Sequence, residues 1–197
     1  MTSRPTAAVL AAALLLGTVS AWADEILDEI DAAIQAYKEQ DYRGALEGLR
    51  FATAKIQKRL DEAHRKLLPE PLPGWSADPP EVQSAAMALM GGGTTLKRAY
   101  SKDGATVEIE IVANSPMIAM MSAALQNPAL LAGDGAEPYR FKRLRGIRKV
   151  QGEETEISLL MGGQVLITLR GRGLPDDGAL KSYLNALDLP ALREAFL

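Results

Sequence analysis

Thr94-Thr-Leu-Lys-Arg-Ala-Tyr-Ser-Lys-Asp-Gly-Ala-Thr-Val-Glu-Ile-Glu-Ile-Val-Ala113 is the stretch whose reading decides the fold class. Its two halves alternate side-chain character around Lys102-Asp103-Gly104. An Asp-Gly pair is a strong signal for a two-residue hairpin turn, because both central residues must adopt positive φ. With Asp103-Gly104 as pivot, Leu96, Arg98 and Tyr100 oppose Ile111, Ile109 and Val107 on one face. Lys97 then faces Glu110 on the other, an exposed charge pair.

On the C-terminal side, Asn114-Ser115-Pro116 opens a helix to about Gln126, with Ser115 as N-cap and Pro116 in the first helical position. Beyond Gly133-Asp-Gly135, three strands are expected at Tyr139 to Val150, Glu156 to Met161 and Gln164 to Arg172, the last two joined through Gly162-Gly163. Asp176 or Asp177 caps a helix through Leu187, and Pro190 opens a short terminal one.

On the N-terminal side, Gly91-Gly92-Gly93 lacks the Gly-Lys-Ser/Thr ending of a phosphate loop and precedes a strand, so it reads as a hinge. Leu68 to Pro80 holds five prolines in thirteen residues and reads as an extended linker. Trp75, inside it, either plugs onto the adjacent core or anchors a partner. Before it, Ile26, Ile30, Ile34 and Tyr37 share one helical stripe, and Ala45, Leu49, Ala52, Ile56, Leu60, Ala63 and Leu67 share another. The short break at Gln40-Asp41-Tyr42 makes these two helices an antiparallel hairpin.

The first residues carry Arg4, an apolar run from Ala7 to Val19 too short to span a bilayer comfortably, and a small-x-small site at Ala21 and Ala23. They read as a signal peptide, 1–23, cut after Ala23, and the short positive start points to the bacterial periplasm. The expected organisation is then a helical hairpin arm at 24–68, a proline-rich linker at 69–80 and an α+β domain at 81–197. In that domain the order β-β-α-β-β-β-α has no βαβ rhythm, so an antiparallel sheet with helices packed against it is expected.

Ala36-Tyr-Lys-Glu-Gln-Asp-Tyr-Arg-Gly-Ala-Leu-Glu-Gly-Leu-Arg-Phe-Ala52 resembles the centre of a tetratricopeptide repeat, over about half of one unit and without a second copy. A lone unit builds no solenoid groove. By its element order, the C-terminal part looks like the Mog1/PsbP-type α+β module of bacterial envelope proteins, a resemblance that implies a fold and no activity.

The 197 residues are 47% apolar, 24% charged and 5% aromatic, with no cysteine, one histidine and a net charge of −3. Thiolate chemistry, disulfides and histidine-clustered metal sites are therefore excluded, and the acidic balance argues against nucleic acid as a general partner. His64, in Asp61-Glu-Ala-His-Arg-Lys66, is expected as a solvated histidine on a charged helix face. Glu108 and Glu110 share a strand face, but beside Lys97 they suit an ion pair better than a hydrolytic carboxylate pair.

The segment from Tyr139 to Lys149 holds six cations in eleven residues and no acid. Read as one strand, it places Arg140 and Lys142 on one face and Arg143 on the other, with Arg145 further along. These four residues are the candidate anion- or partner-binding set, with Trp75 as a second anchor. The competing reading is a solvated strand neutralised by the acidic arm or by Glu153, Glu154 and Glu156. Met117, Met120 and Met121 on one expected helix offer a thioether site for Cu(I) or, more simply, core filler.

The sequence thus points to an exported, soluble, non-enzymatic binding or adaptor protein without a cofactor. Its partner would be an envelope protein or an anionic ligand, and the helical arm offers a seam for homo-oligomerisation. The alternative is a methionine-based periplasmic copper protein, and after it a carboxylate hydrolase.

Overall fold

The computed structural model describes residues 21–84, 92–116, 118, 122 and 135–197. The chain forms two compact units that divide between Lys58 and Arg59, within the second helix and not at the proline-rich segment. Residues 1–20 lie outside the described set. No described helix is long and apolar enough to cross a membrane.

The first unit holds the expected hairpin, α1 (Ala21–Lys38) and the part of α2 (Tyr42–Arg65) that runs to Lys58. Gln40 turns the chain at φ 63°, and Asp41 caps α2 by accepting a hydrogen bond from Gly44 N at 3.0 Å. Small residues line the seam between the helices: Ala33, Ala45 and Ala52 are buried with Ile26. A Cβ on Gly48 would come within 3.1 Å of the Ala33 Cβ, so glycine lets the two backbones approach. The large members of both expected stripes, Ile34, Tyr37, Leu49 and Ile56, are instead exposed.

The second unit is an α+β sandwich built on one eight-stranded antiparallel sheet. Its strands are β1 (Ser76–Ala77), β2 (Glu81–Gln83), β3 (Thr94–Lys102), β4 (Ala105–Ala113), β5 (Ala136–Phe141), β6 (Leu144–Gln151), β7 (Glu154–Met161) and β8 (Val165–Arg172). They lie in the order β1-β3-β4-β8-β7-β6-β5, with β2 also on β3. The β3–β4 register is the one expected: Tyr100 pairs Val107, Arg98 pairs Ile109 and Leu96 pairs Ile111 across a turn whose Asp103 and Gly104 both have positive φ. Two C-terminal helices follow, α3 (Gly178–Ala186) and α4 (Leu189–Phe196), and Asp188 caps the latter through Ala191 N.

One face of the sheet is the core. Ile109, Ile111, Ile157, Leu159, Ile167 and Leu169 have no exposed surface and pack with Leu180, Tyr183, Leu184, Leu192 and Phe196 of the helices. Each such side chain withdrawn from water contributes about 1.5–3 kcal/mol before entropy is counted, so this layer dominates the stability of the unit. Arg98 stands between the buried Leu96 and Tyr100 in the β3 run of this face, and it reaches over the Tyr100 ring at 5.6 Å. It donates to the carbonyls of Pro69 at 2.9 Å and Asp78 at 3.0 Å.

The Tyr100 hydroxyl also donates to Pro69 O, at 2.7 Å, and Leu72 N donates to the Tyr183 hydroxyl at 3.4 Å. The segment 69–80 is thereby fastened along the free edge of β3, where β1 and β2 pair with it on either side of Pro79-Pro80. Two short strands interrupted by prolines protect that edge from further pairing.

The strand expected from Tyr139 to Val150 is two strands. Phe141 pairs Leu144, and Lys142-Arg143 forms the two-residue turn of a β5–β6 hairpin, with Lys142 at φ 52°. The turn contains none of the residues that normally advertise one, which is why alternation alone reads straight through it. The helix expected from Ser115 falls mostly outside the described residues. Pro116, Ile118 and Ser122 are helical.

Candidate functional site

Folding the basic run into a hairpin changes what it presents. Arg140 and Arg145 become directly paired Cα neighbours across β5 and β6, and Lys142 and Arg143 occupy the turn immediately beyond them. All four are exposed. The expectation that Arg140 and Lys142 share one strand face while Arg143 takes the other is therefore corrected: the four cations gather at one hairpin tip.

Like charges directly opposite one another destabilise a strand pair. Nothing in the tip relieves this repulsion, since Arg140, Arg143 and Arg145 make no ion pair among the described residues and Lys142 only lies over the Phe141 ring at 5.0 Å. Phe141 and Leu144 pack against the core and hold the tip in place from beneath.

The rest of the basic run behaves otherwise. Arg148 makes a bidentate pair with Asp177, Nε to Oδ2 at 2.7 Å and Nη2 to Oδ1 at 3.1 Å, and Glu137 stands 3.8 Å from its Nη1. Asp177 heads α3 without capping it by its side chain, because its carboxylate is given to Arg148. Of the acids expected to neutralise the run, Glu154 pairs Arg172 at 2.6 Å and Glu156 pairs Arg170 at 2.9 Å.

Arg170 sits at the centre of a ladder on the sheet face opposite the core, holding Glu110 at 2.9 Å and Glu108 at 3.3 Å, while Lys97 takes Glu108 at 2.8 Å. Burial works against its charge, yet the hydrogen bonds it donates to Glu156 and Glu110 outweigh burial and raise its pKa. Glu108 and Glu110 are thus engaged by cations, but not as the exposed Lys97–Glu110 pair expected: Lys97 pairs Glu110 in register and bonds Glu108, and both carboxylates are half-buried.

Trp75 is half-buried, edge-on to Tyr183 with ring centroids 5.5 Å apart, and Tyr183 in turn stacks at 4.3 Å on Tyr100. Its other side lines an open cleft of about 600 Å³ with Leu72, Lys102, Leu174 and Asp176. The structure does not bring it to the cations. The cleft lies by the β3–β4 turn, whereas the basic tip is at the other end of the sheet and four strand steps across it, about 19 Å at the usual inter-strand spacing.

His64 is corrected from a solvated to a buried residue: it is 5% exposed, its ring lies 4.9 Å from that of Phe196, and its Nδ1 has no hydrogen-bond partner. Burial lowers its pKa, with Asp61 opposing. The covering residue is the penultimate one of the chain, so nothing local in the sequence announces the burial.

Met117, Met120 and Met121 lie outside the described residues, and among the described residues no cluster of three histidine or carboxylate side chains could hold a metal. No family model, curated protein or solved structure matches the chain.

Proposed function

We propose that this is an exported, non-enzymatic binding protein of the bacterial periplasm that docks on anionic surfaces through the β5–β6 tip. The observation that carries the reading is the group of four exposed cations at Arg140, Lys142, Arg143 and Arg145, without ion pairs among the described residues, in a chain of net charge −3. Intramolecular acids are spent on Arg148, Arg170 and Arg172 and leave this group alone. A guanidinium group offers paired donors that match phosphate and carboxylate oxygens, so the partner is a surface bearing those groups.

The test is flotation of the full chain with phosphatidylglycerol vesicles, beside phosphatidylcholine vesicles and soluble polyglutamate, for the native protein and for a variant with all four residues changed to Gln. At about 1 kcal/mol for each cation near an anionic surface, the variant is expected to bind phosphatidylglycerol roughly a thousandfold more weakly. Retention on polyglutamate but not on vesicles identifies an acidic protein surface as the partner class. Equal behaviour of native and variant protein on every probe rejects the proposal.

A further inference from the structure

The α1–α2 hairpin carries its large apolar side chains on the outside. Leu46, Leu49 and Ile56 of α2 are 55%, 48% and 49% exposed, Leu27 and Ile34 of α1 are 57% and 45% exposed, and Tyr37 and Tyr42 are exposed at the turn. On α2 Tyr42, Leu46, Leu49, Thr53 and Ile56 advance by alternating steps of four and three, with Thr53 the one polar member, and on α1 Leu27, Ile30, Ile34 and Tyr37 do the same. Such a 3.5-residue period is the signature of a seam wound against another helix, and it is distinct from the small-residue seam that closes the hairpin itself.

Both stripes fall on the same side of the hairpin. With Ala33 and Ala52 pointing at each other, each stripe lies about a quarter-turn round its own helix, and in an antiparallel pair those two rotations open in one direction. The result is a single apolar face. About half of each of seven large side chains is exposed there, on the order of 800 Å² once the intervening small residues are included, which is the area one partner contributes to a standard interface.

The charges beside the face select the partner. The outer flank of the α1 stripe carries Asp31, and that of the α2 stripe carries Arg43 and Arg50; none of the three has an ion pair among the described residues. Within the hairpin, Gly48 lies against Ala33 and Lys55 bridges Glu25 at 2.6 Å, so Arg50 stands level with Asp31 but on the far side of the neighbouring helix. A second hairpin laid on the face about a two-fold axis parallel to the helices preserves those levels and puts α1 of one copy beside α2 of the other. Asp31 then meets Arg50 twice per pair, while Lys38 and Arg43 meet only at the open turn. A two-fold axis across the helices would instead set α1 on α1, acid against acid.

We infer that the α1–α2 hairpin is a self-association surface, closing with a second copy of the chain into an antiparallel four-helix bundle whose pairing is set by Asp31 and Arg50. The inference is independent of the anion-binding tip, which lies in the other unit.

Sedimentation of the full chain across the micromolar range tests it. The native protein is expected at twice the mass of one chain, and the Leu46→Glu/Leu49→Glu variant at the mass of one. Because that variant also stresses the hairpin, a second pair addresses specificity. Asp31→Arg and Arg50→Glu are each expected to weaken association about tenfold, and an equimolar mixture of the two to restore it, since only the mixed pair matches charge at both contacts. A native chain that stays monomeric, a dimer indifferent to Leu46→Glu/Leu49→Glu, or a mixture no tighter than its components overturns the inference. So does a native chain that is monomeric in solution and floats with neutral vesicles, which would assign the face to lipid.

Discussion

In the hairpin the buried positions are Ile26, Ala33, Ala45 and Ala52, and leucines and isoleucines stand in solvent. In the sheet unit Ile109, Ile157 and Leu169 are fully buried, and the outward residues of the same strands are Glu108, Glu156 and Arg170. The sheet unit has spent its hydrophobic side chains on its own core. The hairpin has not, and two helices held by alanine and glycine contacts gain little from their own seam. Burial pattern, more than composition, separates a self-sufficient unit from one whose apolar surface is oriented outward.

The sharpest way to break this contrast is a matched pair of truncations. Ile109→Ala empties a fully buried site and is expected to cost about 2–5 kcal/mol in urea unfolding of the sheet unit. Leu49→Ala, measured at a dilution where the protein is monomeric, is expected to change stability by no more than about 0.5 kcal/mol, as for an exposed residue. A large loss from Leu49→Ala at that dilution would mean that its side chain is buried within one chain.

An intermediate effect is expected from His64. The native state favours its neutral form, because burial lowers its pKa below the ordinary 6.5 and the attraction of Asp61 does not compensate. The unfolded chain therefore takes up a proton first as pH falls. Stability is fully present above about pH 6.5, declines as pH drops through the interval down to the lowered native pKa, and is flat below it. His64→Phe keeps the ring contact with Phe196 and is expected to remove this slope from urea midpoints measured at about pH 8 to pH 5.

The smallest expected change sharpens the reading of the basic tip. Arg145→Glu replaces a like-charged cross-strand pair by an attractive one and is expected to stabilise the sheet unit by about 0.2–1 kcal/mol while weakening adsorption to phosphatidylglycerol vesicles. Thermal melts and flotation moving in opposite directions would identify repulsion retained for binding.

These sites also differ in how visible they are in the sequence. The β3–β4 hairpin was legible to the register because Asp103-Gly104 states its turn and the alternation on both sides agrees with it. The β5–β6 hairpin was not, because Lys142 enters the left-handed region without glycine or asparagine, so the run of cations was visible but their convergence was not. The burial of His64 is hidden from the sequence because its neighbours along the chain are charged while its neighbour in space is Phe196. The helical stripes were found, but periodicity reports that residues share a face without saying what that face meets. Arg98 left a usable trace: a cation set between Leu96 and Tyr100 on the apolar side of a strand, which in the folded chain marks where the proline-rich segment is held.

That fastening also governs the order in which the molecule can be completed. Leu72 donates to a hydroxyl 111 residues further along the chain, and Tyr100 stacks on the same distant ring. A ribosome delivers Tyr183 long after the strands at 94–113, so the β3–β4 hairpin can form early while the space beside Tyr100 and beneath the proline-rich segment must wait. Closure of so long a loop is slow relative to hairpin formation. The unit therefore completes its native core only once Tyr183 has joined the strands made long before it, so the sheet waits on a helix that follows its last strand.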